Sequence, residues 1–307
     1  MALNQTITRP ASIKEFQERT QLFGPKLAES VERGLAYQPQ PSDVFVSPYA
    51  KCGTTWVQQI VHSLRTRGDM NFDDVMRVMP WVEMAHWADL DLNATQPGGF
   101  QVFKSHLSWC SVPKGGRYIV PLRDPKDALV SFYNFLNGYW WQASLVSITE
   151  FAREYYLRYQ DDIWDNNYWG HLLSWWGQRQ NPQVLLLTYE GMKADLPGSV
   201  QTIADFLGIE LDADLLDIVV KQASLDFMQM HKSKYSDPIM LEASAKHGYL
   251  PGNDTITKVY NGRVGDHRTQ LPAEIGAEMD RIWQEIVTPK TGLASYAALR
   301  EALTQTA

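Results

Sequence analysis

Val44-Phe45-Val46-Ser47-Pro48-Tyr49-Ala50-Lys51-Cys52-Gly53-Thr54-Thr55-Trp56, continued by Val57-Gln58-Gln59-Ile60-Val61, is the stretch from which the rest of the chain can be read. A β-branched apolar run ends at a proline. A short loop follows with a lysine, a glycine and two threonines, and an amphipathic helical pattern starts at once. The order is strand, anion-binding turn, helix N-terminus. Backbone N–H groups in the first turn of a helix have no intrahelical partner and sit at the positive end of its dipole, so a phosphate or sulfate is the natural guest. Lys51 adds a full charge there. Cys52 reads either as a thiol of lowered pKa or as a small residue tolerated in a tight turn.

The unit recurs downstream. Phe100-Gln101-Val102-Phe103-Lys104-Ser105-His106-Leu107 alternates apolar and polar residues and predicts a second strand with His106 at its C-terminal end. Arg117 to Leu122 predicts a third, after which Arg123-Asp124-Pro125-Lys126-Asp127 opens a helix through Ala128, Leu129, Ser131 and Phe132. Pro125 suits the first helical position, Asp124 the N-cap and Asp127 the acid-favouring first turn. Ile148 to Gln180 reads as aromatic-rich helix, and Val184 to Glu190 as a strand buried on both faces, as in covered parallel sheets. Further helices fall at about 195–208, 212–222 and 272–287. Residues 1 to about 40 read as an N-terminal arm or short helix with a weak pattern through Ile13, Phe16 and Leu27. The polar segment from His231 to about residue 258 is long for a plain connection and predicts a mobile cap loop. Strands alternating with helices predict one α/β domain over 1–307, in three layers, with a central, mainly parallel sheet flanked by helices.

Composition narrows the function. At 307 residues there is room for a sizeable core, and eleven tryptophans call for a core or an aromatic pocket to hold them. A net charge of −7 argues against a general nucleic-acid binder, whose footprint is a basic face. The chain shows neither a signal-type N-terminus nor an apolar run of membrane-spanning length, which predicts a soluble, cytoplasmic protein. Cys52 and Cys110 are too few for a disulfide framework and lack metal-ligand spacing.

A nucleotide-triphosphate loop requires Gly, four residues, then Gly-Lys-Ser/Thr. Here Pro48 replaces the first glycine and Thr54 the lysine, which argues against a magnesium-dependent kinase. Pro48 to Trp56 instead resembles the phosphosulfate loop of the cytosolic sulfotransferase family, typically Tyr-Pro-Lys-Ser-Gly-Thr-Thr-Trp. Phe103-Lys104-Ser105-His106-Leu107 resembles its Lys-Thr-His-Leu segment, and Arg123 to Tyr133 its Arg-Asn-Pro-Lys-Asp stretch. Pro80-Trp81-Val82-Glu83, Gly170-His171 with Ser174-Trp175, Tyr189-Glu190-Gly191-Met192-Lys193 and Gly262 to Asp266 follow in the family's order. The likeness suggests a bacterial member of that family.

The resemblance implies a P-loop-like fold and a donor, 3′-phosphoadenosine 5′-phosphosulfate (PAPS). It implies transfer of the sulfuryl group to a hydroxyl or amine, with adenosine 3′,5′-bisphosphate (PAP) as product and no metal. Positioning and electrostatics carry such a transfer. By resemblance Lys51, Cys52, Gly53, Thr54 and Thr55 hold the phosphosulfate, while Trp56 and Tyr189 meet the adenine. Arg123 and Ser131 hold the 3′-phosphate, with a backbone N–H of Gly262 beside them and Arg263 a candidate by its nearness in sequence. Trp56 as a core aromatic, and Arg123 paired with Asp127, are the plainer alternatives. His106 is the expected general base. Lys104, two residues earlier on the same predicted strand face, reaches the same site. Trp81, Trp87, Tyr139, Trp140 and, more weakly, His171 are expected around a small acceptor, apolar or aromatic; Trp109 and Trp141 lie in neighbouring segments.

The family's late motif reads Arg-Lys-Gly-x-x-Gly-Asp-Trp-Lys, whereas this chain has Tyr260-Asn261-Gly262-Arg263-Val264-Gly265-Asp266-His267-Arg268. Both basic residues ahead of the glycine are replaced, and Lys258 and Arg263 are the nearest cations in sequence. A non-catalytic nucleotide-binding protein of the same fold stays open beside the enzyme. A homodimer is also open, with no interface assigned, although no copy of the family's C-terminal dimer motif is found.

Overall fold

A computed structural model describes residues 8–158, 167–250 and 258–304. Its centre is a four-stranded sheet: β1 (Val44–Val46), β2 (Val102–Lys104), β3 (Arg117–Leu122) and β4 (Val184–Thr188), in the order β2-β1-β3-β4. All neighbours are parallel, with Val46 opposite both Lys104 and Ile119, and Leu122 opposite Thr188. Successive residues face opposite ways. Val44, Val46, Val102 and Ile119 pack under the Thr54–Thr66 helix and the helices Leu196–Leu207 and Ala213–Gln222. Phe45, Phe103, Tyr118 and Val120 enter the other core with Trp141, Trp169 and Trp175. That is the three-layer arrangement expected, and much of the tryptophan surplus is spent on the second core.

The helix starts follow local chemistry. Asp124 caps the Pro125–Leu136 helix by accepting from the Lys126 amide (2.8 Å), with Pro125 in the first turn. Asp127 accepts from the Gly265 amide (2.6 Å) and from His267 Nδ1 (2.7 Å), which clips the late glycine segment to the start of that helix. Glu190 accepts from the Asp124 amide (3.1 Å) and from the Tyr296 hydroxyl (2.7 Å), joining β3, β4 and the C-terminal helix Tyr296–Thr304.

Several expectations need correction. The N-terminal arm contains a 23-residue helix, Ile13–Leu35, which runs through Pro25 and buries Ile13, Phe16 and Leu27. Pro25 lacks the N–H that a helix interior uses, so in sequence it reads against a continuous helix here. The second strand ends at Lys104, so His106 lies beyond it. The β4 residues Leu185 to Thr188 are half-buried, because β4 is an edge strand. The 148–180 helix is broken into Ile148–Phe151, a π-turn at Ala152–Tyr156 and Tyr168–Trp176, with 159–166 outside the described residues. The expected cap loop is largely helical, with a 3₁₀ turn at Lys232–Tyr235 and a helix at Pro238–Lys246. The rest of it, 251–257, lies outside the described residues.

The Ile13–Leu35 helix docks on the turn at Val82–Met84 so closely that a side chain on Gly34 would stand 2.2 Å from the Val82 carbonyl oxygen. Gly34→Ala is expected to cost about 1–3 kcal/mol by overpacking. Denaturant midpoints check this, and a variant as stable as the parent would show that the contact is soft.

Candidate active site

In a parallel sheet the carboxyl ends of the strands lie side by side, and ligands bind outside them where the chain leaves in opposite directions. Here β1, flanked by β2 and β3, leads into the loop with Lys51. β2 leads to His106, β3 to Arg123 and β4 to Tyr189. One cavity of about 1050 Å³ is lined by Lys51, Gly53, Thr54, Thr55, Trp56, Lys104, His106, Arg123, Ser131, Tyr189 and Gly262. Trp81, Trp87, Tyr139 and Trp140 line the same cavity.

The loop is shaped as an anion cradle. Lys51 and Gly53 take positive φ (66° and 103°), and Gly53 directly precedes the helix at Thr54. A non-glycine residue held left-handed is strained, and such strain collects at functional sites. A Cβ on Gly53 would lie 3.1 Å from the Tyr189 ring, so the chain there is open only because glycine leaves it so. The Lys51 ammonium sits 4.1 Å from the Phe135 ring centre, and the Lys104 ammonium 3.7 Å from that of Trp81. Burial first, then the neighbouring charge of Lys258, lowers the pKa of each lysine to about 7. The cluster is short of negative charge, and a phosphate-type guest fits it.

His106 is fixed from two sides. Its backbone N–H donates to Glu83 Oε1 (2.7 Å), and its Nδ1 lies 2.8 Å from the Pro48 carbonyl. A carbonyl only accepts, so Nδ1 carries the hydrogen and Nε2 is the lone-pair nitrogen of the neutral ring. Burial, then the Lys104 charge, holds its pKa well below the usual value. Lys104 and His106 thus share the cavity, but the loop past β2, Glu83 and Pro48 set the geometry rather than a strand pleat.

Arg123 donates from Nη1 to the Lys51 carbonyl (3.0 Å) and from Nη2 to the Arg263 carbonyl (3.0 Å), with its guanidinium 4.3 Å from the Tyr189 ring centre. It does not pair with Asp127, which is taken up by Gly265 and His267. Its Nε is buried with no hydrogen-bond partner among the described residues. Trp56 donates from Nε1 to the Ala223 carbonyl (2.8 Å) and crosses Tyr189 edge-on at 5.3 Å. It borders the cavity and also packs against the core under the Thr54–Thr66 helix.

Other expected residues do not reach the cavity. Cys52 is buried beneath the loop, its thiol pushed up to about 12, in keeping with the small-residue reading. Arg263 is exposed and contributes its carbonyl to Arg123, not its charge to the cavity. His171 is buried against the Ser47 carbonyl (3.2 Å), and burial lowers its pKa to about 3. Trp109 and Trp141 pack in the core.

Several lining residues had no sequence signal strong enough to place them. Phe16, stacked on Trp140 at 4.6 Å, comes from the N-terminal helix. Tyr249 and Met240 come from the segment read as a loop. Asp237 and Lys258 form a buried pair, and Lys193 brings its ammonium 3.7 Å from the point where a side chain would leave Gly262. Lys193 sits in the Tyr-Glu-Gly-Met-Lys segment, which marked it only as part of a match. Among the described residues no three His, Cys, Asp or Glu side chains converge as metal ligands.

Comparison with known proteins agrees with this geometry. The chain is 29% identical to Sulfotransferase 2A6 of Rattus norvegicus over 258 residues, 79% of this chain and 84% of the relative. It is 26% identical to the Amine sulfotransferase of Oryctolagus cuniculus, covering 87% of each chain. Both relatives are mammalian, so the expected bacterial source finds no support in them. Among solved structures, mouse sulfotransferase SULT7A1 complexed with PAP aligns at a TM-score of 0.67 and 18% identity, over 91% of this chain and 94% of that one. At that identity the likeness speaks for the fold alone. The sulfotransferase domain profile matches residues 41–293, from just before the first strand to beyond the last motif, and the chain therefore belongs to the sulfotransferase family.

Proposed function

We propose that this sulfotransferase moves the sulfuryl group of PAPS to the hydroxyl or amine of a small apolar or aromatic acceptor, without a metal, with His106 as general base. The observation that carries the reading is the convergence of four strand ends on one cavity: cationic at Lys51, Lys104 and Arg123, aromatic at Phe16, Trp81, Trp87 and Trp140.

The donor supplies an activated sulfuryl group on a phosphate leaving group; this chain's residues do the rest. Lys51, Gly53, Thr54 and Thr55 hold the phosphosulfate through an ammonium, hydroxyls and helix N-terminal amides. Trp56 and Tyr189 border the adenine. Arg123 and Ser131 face the 3′-phosphate, with Lys193 taking the place of the missing basic pair. Tyr260 is 65% exposed and Asn261 donates to Asp266 (2.7 Å), so neither supplies charge there. His106 Nε2 accepts the acceptor's proton as attack begins, and Lys51 and Lys104 hold charge developing on the departing phosphate and transferring group. The aromatic wall orients the acceptor and excludes water.

The same reading makes residues 1–307 one sulfotransferase domain working in the cytoplasm. Among the described residues no helix is long and apolar enough to cross a membrane. Incubation with sulfur-labelled PAPS and a panel of phenols, alcohols and amines, with and without EDTA, tests the function. Label transfer that survives EDTA is expected. Thermal stabilisation by PAP with no turnover on the panel would instead indicate a binding protein, and metal-dependent ATP turnover a kinase.

A further inference from the structure

At the reacting end of the cavity lies a buried ion pair that the sulfotransferase reading leaves without a task. The Lys258 ammonium pairs with the Asp237 carboxylate, their side chains 14% and 6% exposed. Asp237 adopts a left-handed conformation (φ 53°) immediately before the Pro238–Lys246 helix, and its Oδ1 is buried with no hydrogen-bond partner among the described residues. Lys258 also stands within hydrogen-bonding reach of the Lys104 side chain, and its charge acts on Lys51 and His106. Three lysines thus gather around one carboxylate in a partly desolvated cavity.

Like charges brought together away from water are costly unless anions join them, and here Asp237 alone acts on all three lysines while Glu83 acts on Lys104, two carboxylates against three cations. The arrangement leaves a place for a further anionic group among Lys51, Lys104 and Lys258, beside the imidazole of His106. In sequence Lys258 is a candidate to replace the charge missing at Tyr260 and Asn261. In the fold its ammonium pairs with Asp237 beside Lys104, and it is Lys193 whose ammonium approaches Gly262.

We propose that Lys258 is a third catalytic lysine, which binds the non-bridging oxygens of the transferring sulfuryl group, and that Asp237 positions it. The proposal rests on the sulfotransferase reading. In the transfer, the acceptor oxygen or nitrogen bonds to sulfur, and the bond from sulfur to the 5′-phosphate oxygen breaks with its electron pair going to the phosphate. The acceptor proton goes to His106. Lys258 exchanges no proton; its charge neutralises the equatorial sulfuryl oxygens. Asp237, anchored at the helix start, keeps the long lysine side chain from turning out to solvent.

PAP lacks the sulfuryl group, so comparing it with PAPS isolates this contact. Isothermal titration of both ligands against the wild type, Lys258→Met, Lys258→Arg, Asp237→Asn and Lys258→Met/Asp237→Asn is the test, with single-turnover rates beside it. The double variant removes both charges and leaves no lone buried carboxylate, so it serves if the single variant folds poorly. Expected are a loss of PAPS affinity of about 10- to 100-fold with PAP affinity held within about threefold, a single-turnover rate lowered about 100-fold, and partial rescue by Lys258→Arg. Asp237→Asn alone should fall between, and the double variant should be no worse than Lys258→Met. Equal loss of PAPS and PAP, or unchanged PAPS binding and rate, overturns the proposal. A wild type that binds neither ligand overturns the sulfotransferase reading itself, which is a different result.

Discussion

His106→Ala lowers kcat by about 100- to 10,000-fold while PAP affinity stays within about threefold of the wild type. The split follows from the geometry. The imidazole takes no part in the phosphate cradle; its Nδ1 donates to the Pro48 carbonyl, leaving Nε2 as the basic nitrogen, while Glu83 accepts from the His106 backbone N–H. Its pKa lies well below the usual value, because burial and Lys104 disfavour the imidazolium, so the base stays unprotonated through neutral pH and mild acid. Between pH 6.5 and 7 its protonation therefore contributes no acid limb. Rapid-quench turnover with a saturating acceptor, paired with PAP titration, measures both halves. A variant that turns over within threefold of the wild type would remove His106 from the mechanism.

Lys51→Ala is expected to lower kcat/KM for the donor by about 100- to 1,000-fold, the size of effect seen when one preorganised charge-stabilising group is deleted. Its pH dependence carries a second signature. In the free enzyme the pKa values of Lys51 and Lys104 are both lowered to about 7. Each lysine is a cation below that pH and neutral above it, so donor capture is strongest on the acid side. kcat/KM reports free-enzyme ionisations. In the wild type it should fall as pH rises through about 7, more steeply than one group allows; in Lys51→Ala the limb should be shallower. A flat wild-type profile from pH 6.5 to 9 contradicts this account.

The donor half of the site is close to legible in sequence, and the sheet explains why. A parallel sheet gathers the ends of its strands, so a residue read as following a strand is automatically read into the site: Lys51, Arg123 and Tyr189 were placed that way. The Asp124-Pro125 helix start was equally local. What sequence hid was non-local. Phe16 reaches the cavity from a helix whose pattern Pro25 obscures, and Met240 from a segment too polar to look helical. Lys258 sits two residues from Tyr260 in the chain yet its ammonium pairs with Asp237 beside Lys104, a contact across the fold that the chain order does not show. The tryptophans could be counted but not sorted, since Trp140 lines the cavity while Trp141, its neighbour, is fully buried.

The Ile13–Leu35 helix has one more consequence. It supplies Phe16, Gln17, Thr20, Gln21, Gly24 and Leu27 to the cavity from a single face, outside the sheet. Donor-side residues are tied to strand ends, where a change disturbs the framework. None of these six is at a strand end, and of them Phe16 and Leu27 are buried. On the proposed reading, in which this wall faces the acceptor, drift at Gln17, Thr20, Gln21 and Gly24 trades one acceptor for another while the donor chemistry is inherited unchanged.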